Sequence, residues 1–125
     1  MSQTRFTKEH EWARVDGDVA ICGITDYAQK ALGDIVYVEL PAIGKKVKQG
    51  EQVAVVESSK AASEVYAPVD GEVVAVNDNL SNDPGKVNAA AQSDGWFFKI
   101  KAANAAQTGS LMDEPTYQNY VKGLS

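Results

Sequence analysis

The chain of 125 residues has a single cysteine, Cys22. One cysteine excludes an internal disulfide and is typical of a reducing compartment. Cys22 lies in the apolar stretch Val19–Ile24, with no cationic residue close to it in the sequence, so we expect a buried strand thiol rather than a reactive one. Any redox chemistry would therefore have to come from a group attached to the chain.

Long apolar runs and clusters of positive charge are also missing. No run approaches the roughly 18 apolar residues of a transmembrane helix, and the N-terminus has neither a signal-type apolar core nor an arginine-rich transit pattern. The formal net charge is −5 and the lysines and arginines are scattered, which disfavours nucleic acid as a partner. These features predict a soluble bacterial cytoplasmic protein with no membrane partner, or a mitochondrial matrix protein only if it is a processed organelle form.

Patterns typical of catalytic and metal sites are absent from the sequence. The chain has one histidine, His10, and we find no Ser/His/Asp set, glycine-rich phosphate loop or metal-ligand spacing. His10 stands between Glu9 and Glu11, but adjacent strand residues point to opposite faces and rarely converge on one ion. We therefore predict no metal site and no catalytic residue, which disfavours an enzyme.

The stretch from Gly50 to Val76 carries the most informative pattern. It contains two near-copies of one phrase, Gly50–Val56 (GEQVAVV) and Gly71–Val76 (GEVVAV). Each predicts a strand, because Val packs well on a pleated surface, and each begins with a glycine suited to a turn. The copies enclose Lys60, which we therefore expect near the tip of a β-hairpin.

The residues around Lys60 are all slim, namely Ser58, Ser59, Ala61, Ala62 and Ser63. They cannot form a pocket that buries the ammonium or lowers its pKa, as a catalytic lysine requires. The position suits a lysine that another protein must reach. A short helix over Ser58–Glu64 is the alternative, because Ala, Lys and Glu are good helix formers and Ser58 could cap it.

The remaining segments predict short strands at intervals of about ten residues, which argues for a mainly β fold, a flattened barrel or sandwich, with short helices and a C-terminal helix. At this length the chain is expected to be a single domain, 1–125. Strands are predicted at Glu11–Val15, Val19–Ile24, Ile35–Leu40, within Ile43–Gly50 and at Trp96–Lys101, and helices from Thr25 or Asp26 to Leu32, for one turn after Pro84, and from Ser110 onward. Asp16-Gly17-Asp18 predicts a hairpin turn, so the first element should be a two-stranded ribbon.

Blocks along almost the whole chain resemble the glycine cleavage system H protein family, whose members are lipoyl carriers. The matching blocks are Phe6–Trp12, Gly23–Gln29, Leu32–Pro41, Glu57–Glu64, Tyr66–Val73, Gly95–Lys101 and Ser110–Met112. The resemblance implies a lipoyl-type barrel with an N-terminal hairpin and a C-terminal helix added. It implies further that Lys60 is N6-lipoyllysine, with one lipoic acid covalently bound per chain, and that the protein is not an enzyme.

By the same resemblance, the lipoyl-lysine shuttles an aminomethyl group between enzymes. It would receive the group from the pyridoxal-phosphate glycine decarboxylase (P protein), deliver it to the tetrahydrofolate-dependent aminomethyltransferase (T protein), and be reoxidised by dihydrolipoamide dehydrogenase (L protein). A lipoyl ligase or transferase would attach the cofactor. The carrier itself is expected to be a monomer.

The resemblance also implies a cleft that shelters the loaded arm from water. Its matching positions here are Glu11, Glu64 and Tyr27, of which Tyr27 stands where the family often has histidine and Glu64 where aspartate is also frequent. A solvated strand carboxylate is the plain alternative for Glu11. Ser59 departs from the apolar residue usual before the modified lysine, and Ala89–Gln92 replaces a usual Pro-Tyr pair, which leaves that loop's conformation open.

Three other carrier functions share the hairpin lysine. A lipoyl domain of a 2-oxo acid dehydrogenase complex would not need the blocks before Ile35 and after Gly95. A biotin carrier usually has methionines beside its lysine, whereas Lys60 lies between Ser59 and Ala61. A lipoyl donor that passes its group to other complexes is not distinguished by sequence.

Overall fold

The N-terminal part of the chain forms three antiparallel strands. The computed structural model describes residues 4–103 and 105–124, and its first strands are β1 (Thr4–Phe6), β2 (Glu11–Asp16) and β3 (Val19–Ile24). The turn between β2 and β3 contains Gly17 at φ 67°, as the Asp-Gly pair predicted. The predicted ribbon of two strands is confirmed by the antiparallel pairing of β2 with β3, and it forms part of a larger sheet in which β1 adds to β2 and β9 pairs with β3.

The first helix begins and ends at residues that are typical of helix caps. Helix α1 spans Asp26–Leu32, and the Thr25 side chain accepts a hydrogen bond from Ala28 N, as an N-cap does. The helix ends at Gly33, whose φ of 88° is strained for residues with a side chain. Both predicted ends are confirmed.

Strand β4 (Ile35–Glu39) does not follow the strict alternation that its sequence suggests. A bulge between Ile35 and Tyr37 places Ile35 and Val38 on the core side. Val36 and Tyr37 are consequently 56% and 50% exposed. The exposure departs from strict alternation because a bulge adds one residue and shifts every later side chain to the other face.

The hairpin that carries Lys60 consists of β6 (Gln52–Ser58) and β7 (Ala62–Tyr66). The hairpin itself is confirmed, and the alternative helix is excluded. Its second arm is not the second sequence copy. That copy forms β8 (Gly71–Val76), which lies in the other sheet between β9 (Phe98–Ala102) and the short strand β5 (Lys46–Val47).

The connection between β8 and β9 contains two short helices, α2 (Asn79–Asn82) and α3 (Lys86–Ala90). Only the turn after Pro84 was predicted, and it corresponds to α3. After β9 come a 3₁₀ helix, Ala105–Ser110, and helix α4, Glu114–Lys122. Asp113 caps α4 and a proline stands in its first turn, so the predicted C-terminal helix is present but begins at Glu114 and not at Ser110.

The strands form two sheets, with the orders β1-β2-β3-β9-β8-β5 and β4-β6-β7. The main apolar core lies between them and includes Val56, Val65, Val73 and Ile100, all nearly inaccessible. The mainly β sandwich-like class is confirmed, and within the described residues no strand pairing closes the two sheets into a barrel. No helix in 4–103 or 105–124 is long and apolar enough to cross a membrane.

Helix α4 packs on the outside of the N-terminal strands. Its Tyr117 is stacked on Phe6 with ring centroids 4.6 Å apart, and Trp12 completes this second cluster. The C-terminal helix therefore packs through its apolar side chains on the N-terminal strands. Cys22 is fully buried in the main core, where desolvation raises the pKa of its thiol, as expected for a structural cysteine.

Candidate functional site

Lys60 lies in a three-residue loop, Ser59 to Ala61, between β6 and β7. The loop is closed by a hydrogen bond from Ser58 N to Ala61 O at 2.7 Å. The Ser58 hydroxyl accepts from Lys60 N at 3.3 Å and from Ala61 N at 3.0 Å, and donates to Ala61 O at 3.1 Å. The Ser58 side chain thus stabilises the turn by hydrogen bonds to the backbone of Lys60 and Ala61. It does not act as the helix cap that the sequence also allowed.

The surroundings of Lys60 leave its amine accessible. Every residue from Ser59 to Glu64 is exposed, and no salt bridge links Lys60 to another described residue. The amine is presented on a narrow loop whose neighbours have small side chains. This arrangement allows a second protein to enclose the lysine, and it supplies none of the burial that would make the amine reactive by itself.

Glu11, the first residue of β2, is buried and not a solvated carboxylate, with 2% of its surface exposed. Thr7 Oγ1 donates to one carboxylate oxygen at 2.6 Å, and Tyr66 N donates to the other at 3.3 Å. Burial raises the pKa of Glu11 from 4.5 to about 7, against the lowering effect of these two donors and with a small raising effect of Glu9. Glu11 therefore changes charge near neutral pH.

Glu11 should make the protein less stable as the pH rises. A carboxyl group with a raised pKa in the folded state binds its proton more tightly there than in the unfolded chain, so stability is lost between pH 4.5 and about 7. Glu11→Gln keeps the shape of the side chain but cannot ionise. We therefore expect its free energy of unfolding, relative to that of wild type, to be about 2.5 kcal/mol higher at pH 8 than at pH 5. Urea unfolding at both pH values measures this difference, and a gap that does not change with pH would contradict it.

The other two predicted cleft residues occupy different surroundings. Glu64 is exposed and accepts a hydrogen bond from Tyr66 Oη at 2.8 Å, so Tyr66 contacts Glu64 through its hydroxyl and Glu11 through its backbone. Tyr27 packs on His10 with ring centroids 4.6 Å apart. The structure brings Glu11 and Glu64 to one shared neighbour, and it places Tyr27 beside the residue that precedes Glu11.

A cavity of about 250 Å³ lies next to Glu11, at the end of the hairpin opposite the Lys60 loop. It is lined by Phe6, Thr7, Lys8, Glu9, Glu11, Gln49, Gly50, Ala67, Pro68, Ser110, Leu111 and Met112. Neither Glu64 nor Tyr27 lines it. The larger cavity of about 560 Å³ lies at the β5, β8 and β9 edge among three lysines and three carboxylates, and it contains none of the predicted site residues.

His10 serves to connect the N-terminal turn with α4. Its Nδ1 is 2.8 Å from Tyr117 Oη, which lies 2.7 Å from Thr25 Oγ1. The His10 backbone has a φ of 70°, and burial lowers the pKa of its imidazole. Within residues 4–103 and 105–124 no group of His, Cys, Asp or Glu side chains could hold a metal ion.

Sequence reasoning missed several residues that contact the predicted site. Thr7 and Tyr66 bind Glu11, while Asn88 binds the connection between α1 and β4. Thr7 and Tyr66 fall inside blocks that matched the family, but no local pattern indicates that they meet Glu11. Tyr66 is 55 residues from Glu11 in the chain, so only the folded structure brings them together.

Comparison with known proteins gives a consistent result over the full chain. The sequence profile described as "Glycine cleavage H-protein" matches residues 4–124. A glycine cleavage system H protein of Beijerinckia indica is 59% identical over 124 residues, covering 99% of this chain and 100% of the relative. One from Caulobacter vibrioides is 58% identical over 120 residues, covering 96% and 99%. The matches include the terminal segments that a lone lipoyl domain would not need.

A solved structure shows the same fold. The crystal structure of a glycine cleavage system H protein from Mycobacterium marinum superimposes with a TM-score of 0.85 at 31% sequence identity, covering 98% of this chain and 96% of that chain. The similarity extends from the N-terminal strands to the C-terminal helix, since almost all of both chains is aligned.

Proposed function

Because the chain belongs to the glycine cleavage H-protein family, we propose that it is the lipoyl carrier of the glycine cleavage system and that Lys60 bears the lipoyl group. In this function the lipoyl-lysine shuttles an aminomethyl group from the glycine decarboxylase to the aminomethyltransferase and is reoxidised by dihydrolipoamide dehydrogenase. The protein is a carrier and not an enzyme. The single observation that supports this best is the exposed Lys60 at the apex of a three-residue loop.

The residues around Lys60 fit a lipoyl group attached as an amide. The Nζ amine, after losing its extra proton, would attack the carboxyl carbon of an activated lipoyl donor, and the activating group would leave. This removes one positive charge, so the formal net charge changes from −5 to −6. Small neighbours on the loop allow the attaching enzyme to close around the amine, and Ser58 holds the loop in shape during the reaction.

The attached group supplies redox chemistry that the chain lacks, because its disulfide is a two-electron acceptor whose reduced form provides two thiols. The chain supplies the anchor and the direction in which the arm leaves the surface. Tethering keeps the arm at high local concentration near any enzyme that docks on the protein.

Glu11 is proposed to receive the cationic end of the loaded arm. Strand β7 has five residues, or about 16 Å at roughly 3.3 Å per residue, and it leads from the Lys60 loop to the Tyr66 contact with Glu11. An ammonium group in this partly dry site favours the ionised carboxylate and is held by a charge-assisted hydrogen bond. Exclusion of water there protects a group prone to hydrolysis. Glu64, hydrogen-bonded to Tyr66, and Tyr27 are proposed to flank the arm.

Reconstitution tests this function directly. The lipoylated chain, mixed with purified glycine decarboxylase, should support exchange of carbon dioxide with the glycine carboxyl group, and addition of the other two enzymes should give full glycine cleavage. The control is the same chain without lipoate. A lipoylated chain that supports neither reaction would overturn the proposal and favour a lipoyl donor for other complexes.

A further inference from the structure

The side chain of Asn88 on α3 fixes the connection between α1 and β4. Its Nδ2 donates to Gly33 O at 2.9 Å and to Gln29 Oε1 at 2.9 Å, and its Oδ1 accepts from Ile35 N at 2.9 Å. The Asn88 amide therefore binds the buried Gln29 of α1, Gly33 at the end of the helix and Ile35 at the start of β4. Only a group with two donor hydrogens and an acceptor can make all three bonds.

The connection that Asn88 holds is in contact with the Lys60 loop. Ser59 N donates to Asp34 O at 3.2 Å, which ties the loop to the residue between Gly33 and Ile35. The Lys60 stem lies over Gly33, since its Cε is 3.5 Å from the position that a Cβ of residue 33 would take.

We propose that Asn88 is a positioning residue for Lys60, acting through the Gly33–Asp34 connection as a platform for the loop and the lysine stem. The inference rests on the proposed function, in which an enzyme acylates Nζ. The platform holds the Lys60 side chain in one direction, toward α1. The acylating enzyme then meets a partly ordered lysine, and less side-chain entropy is lost when the amine enters its active site.

Loss of the Asn88 amide should free the platform without unfolding the sheets. Gly33 has a left-handed backbone, and its carbonyl would lose the Asn88 donor. The connection could then relax, and both the Ser59 hydrogen bond and the support under Lys60 would weaken. The ladders of the two sheets consist of backbone hydrogen bonds between strands, and the Asn88 side chain touches them only at Ile35, the first residue of β4.

Asn77 provides a matched control at the end of β8. Its Nδ2 donates to two backbone carbonyls, Asp94 O and Trp96 O, each at 2.9 Å, as Asn88 Nδ2 donates to one backbone carbonyl and one side-chain amide oxygen. Asn77→Ala removes an amide with two donated hydrogen bonds that is more deeply buried than the half-buried Asn88, and none of the hydrogen bonds of the Asn77 side chain involves α1, β4 or the Lys60 loop. It therefore reports what loss of an amide clamp does in general.

The test compares lipoylation kinetics of Asn88→Ala, Asn88→Asp and Asn77→Ala with wild type, using a purified lipoate ligase. We expect kcat/KM for the chain to fall about fivefold for Asn88→Ala. Asn88→Asp should lose at least as much, because its carboxylate keeps the acceptor for Ile35 N but faces the acceptors Gly33 O and Gln29 Oε1 without a donor. Asn77→Ala should lose nothing. Backbone amide order parameters of Ser59, Lys60 and Ala61 should fall in the Asn88 variants alone.

Three results would overturn the inference: wild-type kinetics for Asn88→Ala, an equal loss for Asn77→Ala, or unchanged order parameters in the loop. If Asn88→Ala does not fold, Asn88→Asp decides by the same criteria. Wild type that acquires no lipoyl group at all would instead refute the proposed function, and the order parameters of the unmodified chain would still test the platform.

Discussion

Lys60→Arg should abolish lipoylation and every activity that depends on it. The guanidinium keeps the charge and approximate length of lysine, but it stays protonated in proteins and cannot act as an acyl acceptor. Intact mass and peptide spectra of the variant, after incubation with ligase, lipoate and ATP, should show no lipoyl increment. Glycine-dependent carbon dioxide exchange should fall to the level measured without the carrier.

The control for this substitution is Lys30→Arg on α1. Lys30 is also exposed, and it pairs with Asp26 at 3.2 Å. Because Lys60 is unchanged in this variant, the variant should be lipoylated at Lys60 like wild type. Both variants should unfold within about 0.5 kcal/mol of wild type, because each lies on the surface and keeps its charge. A lipoyl increment on the Lys60→Arg chain would show that another lysine is the attachment site.

Gly71→Ala should cause the largest loss of stability among these substitutions. Gly71 pairs with Ala102 on one side and with Val47 on the other, and an added Cβ would overlap Lys101 O and lie 2.5 Å from Ile100 Cγ2. The carbonyl belongs to a neighbouring strand and cannot move without breaking the ladder. We expect a loss of about 4 kcal/mol, at the upper end of overpacking effects, measured by urea unfolding.

Gly50→Ala provides the comparison, because Gly50 opens the other copy of the same phrase. Its φ is 85°, yet nothing lies within 4 Å of an added Cβ. Only backbone strain opposes alanine there, so we expect a loss of roughly 1–2 kcal/mol. Equal losses at both positions would contradict the structural distinction. The sequence interpretation of Gly71 as a turn glycine was wrong, since Gly71 is the first residue of β8 and is required by the close approach of β9.

Glu11 departs from the rule that carboxylates remain solvated. A buried acid with a pKa of about 7 destabilises the fold when it ionises, and natural proteins retain such groups mostly at functional sites. The same burial that costs stability makes the carboxylate a stronger partner for an arriving cation. The pH dependence predicted for Glu11→Gln therefore measures the stability that is lost when the buried Glu11 ionises. The proposed function explains why the chain keeps this acid.

Local sequence signals predicted those features that depend on neighbouring residues. The Asp-Gly turn, the Thr25 cap and the end of α1 at Leu32 each depend on a few neighbouring residues, and each is confirmed. The position of Lys60 on a tight bend belongs to the same class, because slim residues between two valine-rich segments favour a hairpin wherever its arms pair.

Pairing across the chain was not predictable in the same way. The two copies of one phrase suggested the two arms of one hairpin. In the structure β6, the first copy, pairs with β7, and β8, the second copy, lies in the other sheet. Strand partners are selected by packing of whole faces against a common core, and similar valine-rich strands satisfy many pairings equally well in isolation. The bulge in β4 likewise has no local sequence signature.

The sequence by itself determined the exposed lysine, the short turns and caps, and the family to which the chain belongs. The tertiary structure decided that Glu11 is buried beside Tyr66 and that Asn88 supports the platform under Lys60. The physical reason is distance along the chain: these contacts join residues 55 apart, and both the desolvation of a carboxyl group and the satisfaction of an amide arise only after such segments meet.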